Sequence, residues 1–206
     1  MSSVTIARLS CLVGAAVWFL GLPIAVMSAV PFASDATYFW IGIVVTVLGV
    51  VMAPIAFAYP AGSPLRLARI VVGLGLLVCV GLVLSGAPLV AGSVGLLGAK
   101  APGWIPNASA LALTGFFVWV LLASYSTRRS PMLGRGTFWF GMLAGTSWLL
   151  AGLDSVVISV HTNATIPIDM ISALLAWLCL PAWLIALATR MRRESGHQKQ
   201  PANELG

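Results

Sequence analysis

Long apolar runs, separated by short connections, constrain this chain more than any other feature of its sequence. About 20 apolar residues in succession cross a bilayer as a helix, and six runs of about that length lie at about 7–30, 38–59, 67–87, 107–125, 137–160 and 167–190. Charged residues make up 8% of the 206 positions, whereas a soluble domain carries roughly 25%. We therefore predict an all-α, polytopic integral membrane protein whose six-helix transmembrane domain occupies residues 1–193.

Two segments beside these runs carry predictions of their own. The third run stays apolar to about Leu97, but we expect its helix to end or kink near Pro88, which has no N–H group for the helical hydrogen bonds. Residues 89–98 are then either a half-helix or a loop. The C-terminal segment 194–206 is polar, and we expect it to be a disordered cytoplasmic tail.

The basic residues predict how the chain is oriented. Ten of the 11 Lys and Arg residues fall on one side of a six-span chain, and only Lys100 falls on the other. Because basic loops mark the cytoplasmic side, both termini are expected in the cytoplasm, with the helices arranged as three helical hairpins. We expect a multi-pass protein of a cell membrane, in the simplest case a bacterial cytoplasmic membrane. The basic residues are confined to the connections, so no nucleic-acid partner is expected.

A weak internal repeat accompanies the predicted hairpins. Arg69 and Gly75 recur as Arg135 and Gly141, an offset of 66 residues (135 − 69), and Arg8 begins a similar pattern in the first run. Duplication of a hairpin would explain the repeat. Common residue choices in membrane helices would also explain it.

The fifth run has a face rich in glycine. At 100° per residue, Gly141, Gly145, Gly152 and Trp148 fall on one side of a helix. Glycines spaced in this way permit the close approach of another helix. We predict that this face packs tightly against a neighbour.

Polar residues lie on roughly the opposite side of the same run. Ser147, Asp154 and His161 recur at steps of seven residues, and each step corresponds to about 10.5 Å of helix rise. At that separation they cannot form the direct hydrogen bonds of a Ser-His-Asp triad. We therefore exclude a triad made from these three residues.

Asp154 is the acid that interrupts an apolar run, and it has two interpretations. In the structural one, its carboxylate accepts hydrogen bonds from a neighbouring helix or reaches water at the membrane interface. In the functional one, Asp154 lines an outward-facing cavity and binds a cation, a proton or a polar head group. Ser147, Trp148 and Asp35 are the further candidates for ligand binding in that cavity.

The remaining candidates flank the predicted outer loops. Asp169 falls in the first turn of the sixth helix, where a carboxylate interacts favourably with the helix dipole, and Asp35 precedes the second helix in a similar way. The predicted topology nevertheless places both acids on the outer side with Asp154 and His161. Their spacing matches no metal-binding motif, so we expect no metal and no cofactor.

Three functions are compatible with this pattern. The first is a membrane protein that binds a small or lipidic molecule in a cavity centred on Asp154. In one version of this function the protein also transports the molecule. The second is a membrane-embedded enzyme for an isoprenoid- or lipid-like substrate, with Asp154 as general acid and His161 or Asp169 as its proton partner. The third is a non-catalytic assembly subunit that packs through its glycines. Membrane lipids, a small hydrophobic ligand and a second copy of the chain are the partners that these functions imply.

Overall fold

The structure is a computed structural model, and it describes residues 3–28, 35–58, 65–96, 104–126, 128, 134–157 and 166–197, with side chains at 4–21, 23, 36–57, 67–96, 104, 105, 107–126, 128, 135–151 and 171–191. These residues form six α-helices and no strand. The helices are α1 (Ser3–Ser28), α2 (Asp35–Ala58), α3 (Leu65–Ser93), α4 (Ile105–Ser126), α5 (Gly134–Val157) and α6 (Ile166–His197).

Within the described residues, five helices are long and apolar enough to cross a membrane. The candidate spans are Val4–Gly21, Ala36–Phe57, Leu67–Ser93, Asn107–Ser126 and Ile171–Met191. The predicted class, an all-helical multi-pass membrane protein, is confirmed. α5 has 24 residues but is not among the five, so its crossing of the membrane stays a prediction.

The third helix does not break where the sequence predicted. α3 continues through Pro88 to Ser93 over 29 residues, so the expected end at residue 87 is wrong. The helix stops instead at Gly95, which has a left-handed φ of 73°, and the Leu96 N–H donates to the Ala91 carbonyl at 3.0 Å. This is the Schellman type of helix end. Proline is tolerated inside a membrane helix that packs against neighbours, because only one backbone hydrogen bond is lost.

The sixth helix is also longer than predicted. It extends to His197, so the prediction of a disordered tail over 194–206 is wrong for residues 194–197. Arg190, Arg192 and Arg193 lie in the C-terminal part of this helix. Positive side chains near a helix C-terminus interact favourably with its dipole, which gives a physical reason for the extension.

The six helices form a closed ring in chain order. In the described residues each helix packs against the one before and the one after it, and α6 closes the ring on α1. Gly14 of α1 lies beside Val51 of α2, whereas Gly21 lies beside Val44, so these two helices run in opposite directions. Two contacts at different heights show the same reversal for four further pairs of helices. They are Gly42–Gly86 and Gly49–Cys79 for α2 and α3, Val71–Trp119 and Ser85–Ser109 for α3 and α4, Phe117–Trp148 and Ser124–Gly141 for α4 and α5, and Gly14–Leu184 and Phe19–Trp177 for α1 and α6.

Alternating helix directions gather the basic residues at one end of the ring. The arginines with described side chains all lie there, and they are Arg8, Arg69, Arg128, Arg135 and Arg190. We call this the arginine end. It is the end predicted to face the cytoplasm.

Glycines bring the backbones of α2 and α3 into direct contact. A methyl group at Gly42 would lie 2.8 Å from the Gly86 carbonyl oxygen, and a methyl group at Gly86 would lie 2.8 Å from the Gly42 carbonyl oxygen. Gly49 is similarly close to the Cys79 carbonyl oxygen, at 2.8 Å. These positions are far too close for any side chain, so α2 and α3 form the tightest helix pair in the part of the ring that is described.

Candidate functional site

Aromatic side chains cross the interior of the ring at mid-depth. Trp18 of α1 contacts Phe117 of α4 and Trp148 of α5, with ring centroids 5.6 and 6.0 Å apart. Phe117 and Trp148 stack on each other at 4.6 Å. α1 is not a neighbour of α4 or α5 in the ring, so the three side chains fill space that the backbones leave open. We call these three residues the aromatic layer.

A second pair of indoles fills the interior between this layer and the arginine end. Trp119 of α4 and Trp183 of α6 meet edge to face at 6.1 Å, and each is at most 1% exposed. The Trp119 indole N–H also donates to the Val71 carbonyl of α3 at 2.8 Å. The arginine-end half of the interior is therefore closed by packed side chains.

Two equivalent glycines make room for these indoles. A methyl group at Gly75 would lie 2.6 Å from Trp119 Nε1, and a methyl group at Gly141 would lie 2.7 Å from Trp183 Nε1. The two glycines are 66 residues apart (141 − 75), which is the offset of the sequence repeat. In both places a glycine receives the tryptophan of the following helix, so the two helix pairs share a contact as well as a sequence pattern.

Trp18 brings an unused hydrogen-bond donor into the aromatic layer. Its side chain is 1% exposed, and its buried indole N–H has no acceptor among the described residues. A buried donor left without a partner costs roughly 1–3 kcal/mol, and native proteins pair almost all such groups. A bound group that accepts a hydrogen bond from Trp18 would remove this cost.

The predicted site residues of α5 that the structure describes lie inside the bundle. Ser147 is 5% exposed, and Trp148 belongs to the aromatic layer. A methyl group at Gly145 would overlap Leu121 of α4, and one at Gly141 would overlap Ser124 of α4. The glycine face thus packs within the chain, and an assembly role through it would need another surface.

The predicted acidic site lies largely outside the described side chains. Asp35 is the first residue of α2, Asp154 lies in the last turn of α5, and Asp169 lies in the first turn of α6. The structure does not describe the side chains of these three acids, and it does not describe the contacts of Gly152. His161 lies outside the described residues altogether.

Sequence reasoning identified only part of the aromatic interior. Trp18, Trp148 and Trp177 are mid-span residues in the sequence, and packing or ligand stacking are their two interpretations. Trp177 instead lies nearer the surface, stacked on Phe19 at 4.9 Å with its N–H donating to the Phe19 carbonyl at 3.3 Å. Trp119 and Trp183 were missed. Their signal is helical spacing with apolar residues that are fully buried, Leu180 and Leu187 for Trp183, and Phe116 and Ala123 for Trp119.

No group of three or more His, Cys, Asp or Glu side chains that could hold a metal ion occurs within the described part of the chain.

Comparison with known proteins adds no assignment. The chain matches no protein-family model, and no curated protein or solved structure is significantly similar to it. The site has to be interpreted from its own geometry.

Proposed function

We propose that this protein is a six-span membrane protein that holds a small or lipidic molecule inside its ring of helices, in a cavity open on the side opposite the arginine end. Three helical hairpins make up the ring, and the arginine end faces the cytoplasm. Asp154 is the central polar contact, and it carries a proton if the protein transports its ligand. The ligand comes from the membrane or from the outer side.

The observation that carries this proposal is the aromatic layer. Trp18 joins α1 to α4 and α5, which are not neighbours of α1 in the ring, and Trp119 and Trp183 fill the interior between this layer and the arginine end. The interior is therefore blocked towards the cytoplasm. A ligand site inside the ring has to open towards the other side, with the aromatic layer as its floor.

The unpaired N–H of Trp18 supports a particular class of ligand. Aromatic faces accept apolar groups, and the indole N–H adds one donor in a buried place. A molecule that satisfies both is mainly apolar and carries a hydrogen-bond acceptor, such as a carbonyl or hydroxyl oxygen. Lipids and isoprenoid-like molecules have that composition.

Helical periodicity supports the choice of Asp154 and adds Asp169. Seven residues return to nearly the same angular position on a helix, and Asp154 follows the buried Ser147 by seven residues on α5. On α6, Asp169 precedes the fully buried Ala176 by seven residues. α5 and α6 are neighbours in the ring, so we propose that these two positions supply the polar contacts near its open end.

Access from the outer side is the first prediction from this proposal. Ser172 of α6 and Ser124 of α4 are both buried, and we expect them to lie on opposite sides of the aromatic layer. In a protein whose native cysteines Cys11, Cys79 and Cys179 are replaced by alanine, we expect Ser172→Cys to react with a membrane-impermeant maleimide added outside intact cells. Ser124→Cys is the matched control and should stay unlabelled. Labelling of Ser124→Cys from outside, or of neither cysteine, would contradict an outward-opening cavity.

The second prediction concerns the carboxylate. Asp154→Asn keeps the shape of the side chain but removes its charge, so we expect the amount of co-purifying lipidic molecule to fall by about tenfold, equivalent to about 1.4 kcal/mol. The ligand would be extracted from the purified protein and quantified by mass spectrometry. Glu194→Gln, the same chemical change in the cytoplasmic segment, should have no effect. Equal ligand retention by Asp154→Asn and the wild-type protein would show that the carboxylate does not bind the ligand.

A further inference from the structure

A second apolar site lies on the outside of the ring, between α3 and α4. The two helices leave a groove of about 740 Å³, which is within the range of small-molecule pockets. Its floor consists of small residues that include Gly81, Ala112 and Gly115. Leu77, Leu84 and Leu111 line it as well, and each is at least 68% exposed.

The hydroxyl groups of the groove are already used by the protein. Ser85 Oγ donates to the Leu82 carbonyl of its own helix at 3.3 Å, and Thr114 Oγ1 donates to the Ala110 carbonyl at 2.9 Å. The Ser85 carbonyl in turn accepts from Ser109 Oγ at 3.3 Å. These groups offer little to a polar ligand, so the groove suits a hydrocarbon.

The groove is shorter than a membrane is thick. Its lining runs from Leu74 to Ser85 on α3 and from Trp104 to Val118 on the α4 side, which corresponds to about 16 and about 21 Å of helix rise. The hydrocarbon core of a bilayer is about 30 Å thick. Trp104, 66% exposed, lies at the end of the groove away from the arginine end. Tryptophan is enriched where the hydrocarbon core meets the head groups. The groove thus begins at one interface and ends within the hydrocarbon core.

From this geometry we infer that the α3–α4 groove binds one acyl chain of a membrane lipid in the leaflet opposite the arginine end. An acyl chain spans one leaflet, whereas a helix of a second copy spans the whole membrane and would need a surface longer than this groove. The site is separate from the interior of the ring. It therefore does not depend on the proposed interior ligand or on Asp154.

Photocrosslinking in vesicles tests this inference. The protein is reconstituted into phosphatidylcholine vesicles that contain a small fraction of phosphatidylcholine with a diazirine on one acyl chain, and crosslinked peptides are mapped by mass spectrometry. We expect the crosslinks to concentrate on the groove residues of α3 and α4. Crosslinks spread evenly over other exposed residues, such as Leu12 of α1 and Leu178 of α6, would overturn the site, because they would indicate unspecific contact with surrounding lipid.

A variant whose side chain fills the groove provides the matched comparison with the wild-type protein. The space around a methyl group at Gly81 is open, with the nearest atom 3.8 Å away in Ala112, so Gly81→Phe should place its ring in the groove. We expect crosslinking there to fall about fivefold, equivalent to about 1 kcal/mol. Gly73→Phe on the same helix, where a methyl group meets no atom within 4 Å, should leave the crosslinks unchanged.

Two further readouts complete the test. Ala108→Phe fills the same groove from α4 and should reproduce the loss if Gly81→Phe fails to fold. The oligomeric state of the wild-type protein in the same vesicles identifies the competing occupant. A wild-type dimer that both filled variants convert to a monomer would overturn the inference in favour of a second copy of the chain.

Discussion

Replacing Gly86 with alanine is expected to cost about 1–3 kcal/mol of stability, the usual range for an overpacked contact. The new methyl group would lie 2.8 Å from the Gly42 carbonyl oxygen and 2.8 Å from the Thr46 backbone nitrogen. Backbone atoms cannot rotate away as a side chain can, so α2 and α3 would have to separate. Alanine also favours a helix over glycine by about 1 kcal/mol, and the loss is expected despite that gain.

Gly73→Ala is the control for this prediction. It makes the same substitution in the same helix, and its methyl group meets no atom within 4 Å. Only the helix-propensity gain of up to about 1 kcal/mol remains, so this variant should be as stable as the wild-type protein or more stable. Thermal unfolding of the purified proteins in one detergent, followed by tryptophan fluorescence, measures both. Equal stability of the two variants would mean that the helices are not in contact at Gly86.

The number and class of the helices were predictable because hydrocarbon length imposes a local rule on the sequence. Each of the six predicted runs corresponds to one helix of the structure, with most ends within a few residues. Of the two alternatives near Pro88, an end or a kink of the helix, the end was wrong, because a single missing N–H does not terminate a packed helix. Gly95, which provides the left-handed residue at the end of α3, was the better signal.

The aromatic layer was less predictable, because it depends on which helices face each other across the ring. The glycine face of α5 follows from the spacing within one helix, and so does the separation that excludes a triad. Contact between Trp18 and Phe117 has no such local pattern, since these residues lie on helices that are not neighbours. The groove between α3 and α4 also depends on the arrangement of two helices. The functional roles of Asp154 and Asp169 stay predictions from sequence and helical register.

Replacing Trp18 with alanine is expected to cause the largest loss of stability among the side-chain truncations considered, about 3–5 kcal/mol. The indole is 1% exposed and contacts both Phe117 and Trp148. In a membrane protein the cost comes mainly from lost van der Waals contacts, because lipid chains are as apolar as the interior. Truncation leaves a cavity between α1 and the α4–α5 pair, and α1 is not a neighbour of either helix in the ring.

Two comparisons separate the packing of Trp18 from its hydrogen-bond donor. Trp139→Ala removes an indole that is 60% exposed, so it should change the unfolding temperature far less than Trp18→Ala. Trp18→Phe keeps an aromatic ring in the layer but removes the N–H, so it should retain most of the stability while losing co-purifying ligand. If Trp18→Phe binds as much ligand as the wild-type protein, the unused donor has no part in binding. The aromatic layer would then close the ring towards the arginine end without contacting a ligand through this group.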